Sequence, residues 1–228
     1  MADPVFLITG ASTGIGAATA RHAAADGYRL VLAARSTDKL ESLAAELGGS
    51  ERAIAVTCDV TDFGQQEHMV QAALHDFGRV DVVFANAGFG AKRGFLEETP
   101  EHWRDMVLTN VLGAAYTIRA TIPALKESVG HLLLTSSVAG RRALSGSLYS
   151  ASKHAVTAMA EAARQDLNDT GIRVTSIEPG MTDTPFFDDP VSNALEPDDI
   201  ARAVMFAVSQ PAHVDVNEIL IRPVSQPT

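Results

Sequence analysis

Short apolar runs alternate with longer segments of helical character along the whole chain. Seven runs rich in valine, isoleucine and leucine predict β-strands, which cover residues 5–9, 28–34, 52–58, 80–86, 131–136, 172–178 and 216–221. The segments between them predict helices over residues 15–26, 38–47, 62–77, 100–125, 147–168 and 198–210. Gly27, Gly48 and Gly78 directly follow three of these helices, as expected of helix C-termini.

The alternation of strand and helix predicts an α/β fold, because parallel strands need long crossover connections that a helix normally supplies. We expect a seven-stranded, mostly parallel sheet with helices on both faces, which is the doubly wound arrangement. With 228 residues, of which 46% are apolar, the chain is expected to form one domain over residues 1–228. Ligands of such a fold bind beyond the carboxyl ends of the strands, so the segments that follow the strands should carry the function.

The segment after the first strand, TGASTGIG at residues 9–16, is rich in glycine and precedes a predicted helix. Glycine lets the backbone turn tightly and approach a pyrophosphate, and the helix N-terminus then offers free N–H groups. We therefore predict that a dinucleotide binds here, at Gly10, Ser12, Thr13, Gly14, Ile15 and Gly16. Glycines also occur in plain turns before helices, and the triad alone does not separate the two interpretations.

The end of the second strand indicates which dinucleotide is bound. Ala34 and Arg35 stand where an acid would accept hydrogen bonds from the ribose of NAD(H) and repel a 2′-phosphate. A guanidinium is suited to bidentate phosphate binding, so we predict NADP(H) as the cofactor. The alternative is that Arg35 is a solvated residue before a helix.

Two further strand ends are expected to contact the adenosine half of the cofactor. Asp59 and Val60 follow the third strand, and the Asp59 carboxylate could accept from an adenine amino group or serve as a helix N-terminal acid. Asn86, Ala87 and Gly88 follow the fourth strand and could form the floor of the site. They could equally form a simple tight turn, which Asn and Gly favour.

Candidate groups for carbonyl chemistry come from the second half of the chain. Tyr149 and Lys153 are four residues apart on a predicted helix and share one face, and a nearby ammonium is expected to lower the pKa of the phenol. Ser137 follows the fifth strand, and Asn110 is a polar residue between apolar neighbours in a predicted helix. Each has an ordinary structural explanation, since a Tyr-x3-Lys pair alone is usually an exposed helix face. Their occurrence together on the predicted cofactor side favours a catalytic set.

The motifs TGASTGIG, CDV, NAG, SSVAG, YSASK and PGMTDT, together with Asn110, resemble those of the short-chain dehydrogenases/reductases in order and spacing. The resemblance covers essentially the whole chain and is nearest to the NADP-dependent 3-hydroxy acid (serine-type) dehydrogenases. It implies a Rossmann-like domain with a seven-stranded parallel sheet. It also implies that Tyr149 is the general acid/base and that Lys153 lowers its pKa and binds ribose. Ser137 would then position the carbonyl, and Asn110 would hold a water in a proton relay.

The same resemblance assigns the nicotinamide half of the cofactor to Pro179, Gly180 and Thr184, in addition to Tyr149 and Lys153. It suggests a homotetramer or homodimer formed through the predicted helices 100–125 and 147–168. Small residues in these helices, Ala114, Ala115, Ala155 and Ala158, would permit close packing.

The predicted substrate segment is short and spans about residues 181–196. It leaves room for a short lid at most, which suggests an open pocket. Apolar walls are predicted from Phe89, Leu144, Met181, Phe186 and Phe187. Arg141 and Arg142 follow Ser137 and could meet a substrate carboxylate, although at least one of them is expected to be solvated or at an interface.

Charge and cysteine content restrict the partners and the location. A net charge of −10 argues against non-specific binding to nucleic acid or to an anionic membrane. The single cysteine, Cys58, fits a reducing compartment. No secretory leader and no apolar run of about 20 residues is evident, so we predict a soluble cytoplasmic protein. No metal site is predicted.

We therefore predict an NADP(H)-dependent oxidoreductase that interconverts a secondary alcohol or hydroxy acid with the corresponding ketone, or an alcohol with an aldehyde. The small-molecule substrate itself stays open. A non-catalytic NADP(H)-binding regulator on the same fold is the alternative from a different class. A second alternative, closer to the predicted activity, is an enzyme of the same fold that catalyses isomerisation or dehydration.

Overall fold

The structure is a computed structural model that describes residues 3–186 and 191–226. Seven parallel strands form one sheet in this part of the chain, in the order β3-β2-β1-β4-β5-β6-β7. The strands are β1 (Val5–Thr9), β2 (Arg29–Ala34), β3 (Ala53–Thr57), β4 (Val82–Ala85), β5 (His131–Thr135), β6 (Arg173–Pro179) and β7 (Glu218–Ile221). The predicted doubly wound parallel sheet is therefore confirmed. Its strand order reverses between β1 and β4, which creates the crevice in which such folds bind ligands.

Seven α-helices lie in the described part of the chain. They are α1 (Gly14–Ala25), α2 (Thr37–Glu46), α3 (Phe63–Phe77), α4 (Pro100–Val107), α5 (Ala114–Ser128), α6 (Leu148–Asp166) and α7 (Pro197–Val208). Short 3₁₀ turns occupy Gly49–Glu51, Val138–Gly140 and Asn168–Thr170. No helix among residues 3–186 and 191–226 is long and apolar enough to cross a membrane.

The single helix predicted over residues 100–125 is wrong in detail. Pro100 begins α4 as expected, with the Thr99 hydroxyl accepting from the backbone N–H of His102. A π-helical segment, Leu108–Gly113, then separates α4 from α5, and α5 continues to Ser128. Hydrophobic periodicity does not predict this π-helical turn, because a π turn adds one residue to the helical turn and its stability depends on the tertiary contacts made there.

The sheet separates two cores, and helices cover both faces as predicted. Val5 and Leu7 of β1 belong to the core that α3, α5 and α6 cover. Phe6 and Ile8 belong to the other core, under α1, α2 and α7. Alternate residues of a strand point to opposite faces, so β1 contributes to both cores and must be apolar throughout.

A buried histidine lies near the amino end of β5. His131 is 1% exposed, and its Nε2 donates to Thr175 Oγ1 at 2.8 Å, because that hydroxyl itself donates to the carbonyl of Val216. No partner for Nδ1 is found among the described residues. Burial, with a smaller contribution from the Arg173 charge, lowers the pKa of His131 to about 3.

This buried histidine makes stability depend on pH. Below about pH 6.5 His131 is protonated in the unfolded chain but stays neutral in the native state. The free energy of unfolding therefore falls as the pH falls from about 6.5 towards the native pKa of about 3. We expect His131→Asn to weaken this dependence. Between about pH 6.5 and about pH 4 the free energy of unfolding should fall by roughly 3 kcal/mol less than in the unsubstituted protein. Urea denaturation across this range measures it.

The matched control is His213→Asn, since His213 is exposed. Its stability should follow the unsubstituted protein across the whole range. Parallel curves for His131→Asn and the unsubstituted protein would show that His131 does not carry the effect.

Candidate active site

One cavity of about 510 Å³ lies beyond the carboxyl ends of the strands. The ends of β1 to β6 all contribute to its wall. Among the predicted cofactor residues the cavity is lined by Gly10, Ser12, Thr13, Gly14, Ile15, Arg35, Asp59, Val60, Asn86, Ala87, Gly88, Pro179, Gly180 and Thr184. Ser137, Tyr149 and Lys153 line the same cavity, whereas Gly16 and Asn110 do not.

Glycine is required in residues 9–16 for two separate structural reasons. Gly10 and Gly14 have positive φ values of 66° and 54°, which favour glycine. A Cβ at Gly10 would also lie 2.9 Å from the Cα of Ala87. A Cβ at Gly16 would collide with the carbonyl oxygen of Gly10, so Gly16 allows α1 to pack against this segment.

The N-terminus of α1 faces the cavity with its N–H groups uncapped. Thr13 is the N-cap residue, but its side chain makes no capping hydrogen bond. The free N–H groups and the helix dipole favour an anion at this point. Thr184 lies across from it, 3.2 Å from where a Gly14 Cβ would be.

Asn86 connects three strand ends under the cavity. Its Nδ2 donates to the carbonyl oxygen of Thr9 at 3.2 Å, and its Oδ1 accepts from Thr135 Oγ1 at 3.0 Å. The Thr9 hydroxyl accepts from the backbone N–H of Asn86 and of Ala87. Sequence reasoning missed Thr9 and Thr135. Their position as the last residue of a strand was the available signal.

Arg35 and Asp59 lie at the end of the cavity that β2 and β3 form. Arg35 is exposed and makes no hydrogen bond or ion pair with any residue that the structure describes. Asp59 Oδ1 accepts from the backbone N–H and the hydroxyl of Thr61, which lowers the pKa of Asp59, and the Arg35 charge adds to this effect. Asp59 does not cap α3, because Asp62 does.

Ser137, Tyr149 and Lys153 meet at the other end of the cavity. Ser137 Oγ donates to the carbonyl oxygen of Pro179 at 3.3 Å and accepts from the backbone N–H of Ala139 at 3.1 Å, and this hydroxyl is near enough to the Tyr149 phenol to affect its pKa. Lys153 Nζ lies 5.7 Å from the centre of the Tyr149 ring and donates to the carbonyl oxygen of Thr135 at 2.7 Å. The sequence-predicted trio is thus brought together around one space.

Burial dominates the protonation of both titratable groups. It raises the pKa of Tyr149 to about 12, although the nearby Ser137 hydroxyl opposes the rise. Burial also lowers the pKa of Lys153 to about 8. This differs from the expected lowering of the tyrosine pKa by the lysine, because the ammonium here is directed at a backbone carbonyl.

Asn110 is buried beside the cavity, not in its wall. Its Oδ1 accepts from the backbone N–H of Phe89 at 3.0 Å, and its Nδ2 donates to the carbonyl oxygen of Phe89 and to Ser152 Oγ. Asn110 lies in the π-helical segment, so the wide turn directs this amide between the end of β4 and α6. In this geometry Asn110 holds the wall of the site in place.

The two arginines that follow Ser137, Arg141 and Arg142, differ in their contacts. Arg141 makes a bidentate ion pair with Glu178, at 2.7 and 2.8 Å, and also pairs with Glu218. Arg142 is exposed and outside the cavity wall. Arg141 is therefore already engaged, and the expectation that it meets a substrate carboxylate is not supported.

Sequence reasoning missed Glu178, although its place in an otherwise apolar strand end was a signal. The side chain is 1% exposed and one of its oxygens accepts from Ser176 Oγ at 3.0 Å. The Arg141 guanidinium supplies the charge that this buried carboxylate needs. Glu178 adjoins Pro179 and Arg141 follows the Ser137 turn, so the ion pair joins the two segments that Ser137 bridges.

The predicted apolar walls are found where the structure describes them. Phe89, Leu144, Met181 and Phe186 line the cavity, and the Phe186 and Tyr149 rings meet edge to face at 5.5 Å. Phe187, which was also predicted there, lies outside the described residues. No cluster of three or more metal-ligating side chains is found among residues 3–186 and 191–226.

Comparison with known proteins identifies relatives across the full length of the chain. The family model for short chain dehydrogenase matches residues 4–194. An uncharacterized oxidoreductase of Staphylococcus saprophyticus is 38% identical, over 97% of this chain and 98% of that protein.

Solved structures with a similar fold and related sequences are also found. An alcohol dehydrogenase from the archaeon Thermococcus sibiricus, complexed with 5-hydroxy-NADP, superposes with a TM-score of 0.92 at 35% identity, covering 99% of this chain and 98% of that one. Serine dehydrogenase from Escherichia coli superposes with a TM-score of 0.89 at 30% identity, covering 98% of this chain and all of that one.

The ion pair between Arg141 and Glu178 yields a stability prediction. Arg141→Met leaves the Glu178 carboxylate buried without its cation. We expect the free energy of unfolding to fall by about 1–3 kcal/mol, less than for a fully buried pair because solvent reaches the arginine. Urea denaturation at neutral pH measures this. Arg142→Met is the matched control at an exposed position, and equal losses in the two variants would contradict the assignment.

Proposed function

The chain belongs to the short-chain dehydrogenase family, and from this premise we propose that it is an NADP(H)-dependent oxidoreductase. It interconverts a secondary alcohol or hydroxy acid with the corresponding ketone, or an alcohol with an aldehyde, with Tyr149 as the general acid/base. The observation that carries the proposal is that Ser137, Tyr149 and Lys153 share one cavity with the glycine-rich N-terminus of α1.

The residues at the other end of the cavity fit NADP(H). Gly10 and Gly14 leave a backbone cradle that side chains would obstruct, and the uncapped N-terminus of α1 suits a pyrophosphate. Arg35 offers an unpaired guanidinium for a 2′-phosphate. The complex of the Thermococcus sibiricus relative with an NADP derivative supports the same choice.

Each polar group near Tyr149 has a definite task in the reduction. The cofactor, when bound, supplies the hydride. Tyr149, with a pKa of about 12, is protonated at neutral pH and is ready to donate its proton to the oxygen of a carbonyl group. The Ser137 hydroxyl orients that oxygen, since it already contacts the phenol.

Lys153 acts mainly through position and charge. Its pKa of about 8 leaves it mostly protonated at neutral pH. One of its three N–H donors is used by the carbonyl of Thr135, so the others are available to ribose hydroxyls and to the phenolate that forms when Tyr149 gives up its proton. Asn110 would then serve the proton relay from behind the cavity wall.

We also propose a cytoplasmic homo-oligomer, dimer or tetramer, built through α5 and α6. Ala151 and Ala158 are exposed on α6, and small residues allow another helix to approach closely. Cross-linking or sedimentation in solution would test this part of the proposal.

Replacing Tyr149 with phenylalanine removes the proton donor and little else. We expect Tyr149→Phe to lower the turnover number by roughly 10²–10⁴-fold, because general acid catalysis contributes that much. NADPH consumption with a panel of aldehydes, diketones and β-keto acids measures turnover, and fluorescence titration measures NADPH binding, which should persist. Tyr116→Phe, on α5 outside the cavity wall, is the control.

Retained turnover in Tyr149→Phe would overturn the assignment of this residue. Tight NADPH binding without turnover of any compound in the panel by the unsubstituted protein would favour the regulator instead.

Removing the Arg35 charge should discriminate between the two nicotinamide cofactors. We expect Arg35→Ala to raise the KM for NADPH by roughly ten- to a hundredfold, the value of a lost charge-assisted hydrogen bond, while the KM for NADH changes little. Arg104→Ala on the exposed face of α4 is the control. Equal effects on NADPH and NADH would remove the case for phosphate recognition by Arg35.

A further inference from the structure

The substrate end of the cavity combines the polar groups of Ser137, Tyr149 and Lys153 with apolar walls and one further charged side chain. Four charged residues line the cavity within the described part of the chain, namely Arg35, Asp59, Arg93 and Lys153. The proposed function uses Arg35 at the cofactor and Lys153 beside the proton donor, and Asp59 is the predicted contact of the adenosine half. Arg93 is left over, in the segment after β4 that also contributes Phe89 and Gly90 to the wall.

Arg93 lies on a segment that is tied to the catalytic helix. The backbone N–H of Gly94 donates to the carbonyl oxygen of Gly146 at 2.9 Å, and Gly146 precedes Tyr149 by three residues. A Cβ at Gly146 would lie 2.7 Å from the nitrogen of Gly94 and 3.7 Å from the carbonyl carbon of Arg93. The main chain at Arg93 is therefore in contact with the segment that leads into α6.

The other end of this segment is also held, at Gly90. His102 Nε2 donates to the carbonyl oxygen of Gly90 at 2.8 Å. A Cβ at Gly90 would lie 2.6 Å from the Phe186 ring, which is itself packed on Tyr149. Gly90, Ala91 and Arg93 line the cavity, so the segment of residues 90–94 runs along one side of the space in front of Tyr149 and is held at both ends.

The Arg93 charge has no counter-charge in the described structure. Its guanidinium is exposed, and it forms no hydrogen bond or ion pair with residues 3–186 or 191–226. The nearby Glu98 accepts from the backbone N–H of Lys92 and faces His102. An unpaired guanidinium at the edge of an apolar pocket is a good partner for a planar anion, because it offers parallel N–H donors.

From this placement we infer that Arg93 binds a carboxylate of the substrate and sets a preference for carboxylate-bearing carbonyl compounds over neutral ones. The inference rests on the proposed function. In the bound state the substrate carbonyl faces Tyr149 and Ser137, and the carboxylate is held by Arg93 on the side of the cavity that Gly90 and Ala91 also line. Arg93 is then a specificity-determining residue and takes no part in proton transfer.

The test compares acetoacetate with its methyl ester, which present the same ketone with and without a negative charge. We expect the unsubstituted protein to prefer the acid, and we expect Arg93→Gln to lower kcat/KM for the acid by roughly tenfold, the value of one solvent-accessible charge-assisted contact. The value for the ester and the KM for NADPH should stay unchanged. Arg93→Lys should keep part of the preference, because a lysine retains the charge without the planar fork.

Lys92→Gln is the matched control, since Lys92 is adjacent in sequence and absent from the cavity wall. The preference for the acid should also shrink as salt is added, because the contact is exposed to solvent. An equal loss for acid and ester in Arg93→Gln would overturn the inference, and so would a loss confined to the KM for NADPH.

The two proposals fail in different ways. Turnover of the ester with no preference for the acid in the unsubstituted protein would sink the role of Arg93 and leave the oxidoreductase assignment intact. Absence of turnover with every carbonyl compound, despite NADPH binding, would overturn both.

Discussion

All seven strands of the described sheet run in the same direction, so each of them leaves the sheet at the same edge. A parallel ladder allows no hairpins, and every return path is a helix packed on one of the two faces. Residues far apart in sequence, from Gly10 to Thr184, therefore meet in one cavity beyond that edge. The position of the site follows from this single constraint on strand direction.

The close approach of main-chain segments at that edge depends on small residues and on two side-chain amides. Gly10 and Gly16 let the first turn, α1 and the end of β4 come within contact distance. Asn86 then joins the ends of β1, β4 and β5 through its side chain. Asn110 has a similar role behind the cavity wall, because the π turn directs its amide to the backbone N–H and carbonyl of Phe89. The floor of the cavity is thus a set of hydrogen bonds between strand ends, and it presents Ser137 and Lys153 in fixed positions.

Much of this was predictable because it is local. The periodicity of apolar residues predicted the strands and helices, and the glycines of residues 9–16 predicted a tight turn before a helix. Helix spacing put Tyr149 and Lys153 on one face. The π segment at Leu108–Gly113 was not predictable, since its energy depends on contacts with β4 and α6. The partners of Arg141 were also beyond sequence reasoning, because Glu178 and Glu218 lie on two different strands.

The sequence by itself determined the fold class, the family and the identity of the candidate catalytic residues, because all three can be recognised from residue types at fixed spacing along the chain. Only the tertiary structure decided how those residues are charged and what they touch. Burial, rather than the neighbouring lysine, dominates the pKa of Tyr149, and a distant carboxylate occupies Arg141 while Arg93 stays unpaired in the described structure. Desolvation and ion pairing depend on distances between segments that the chain brings together only when it folds.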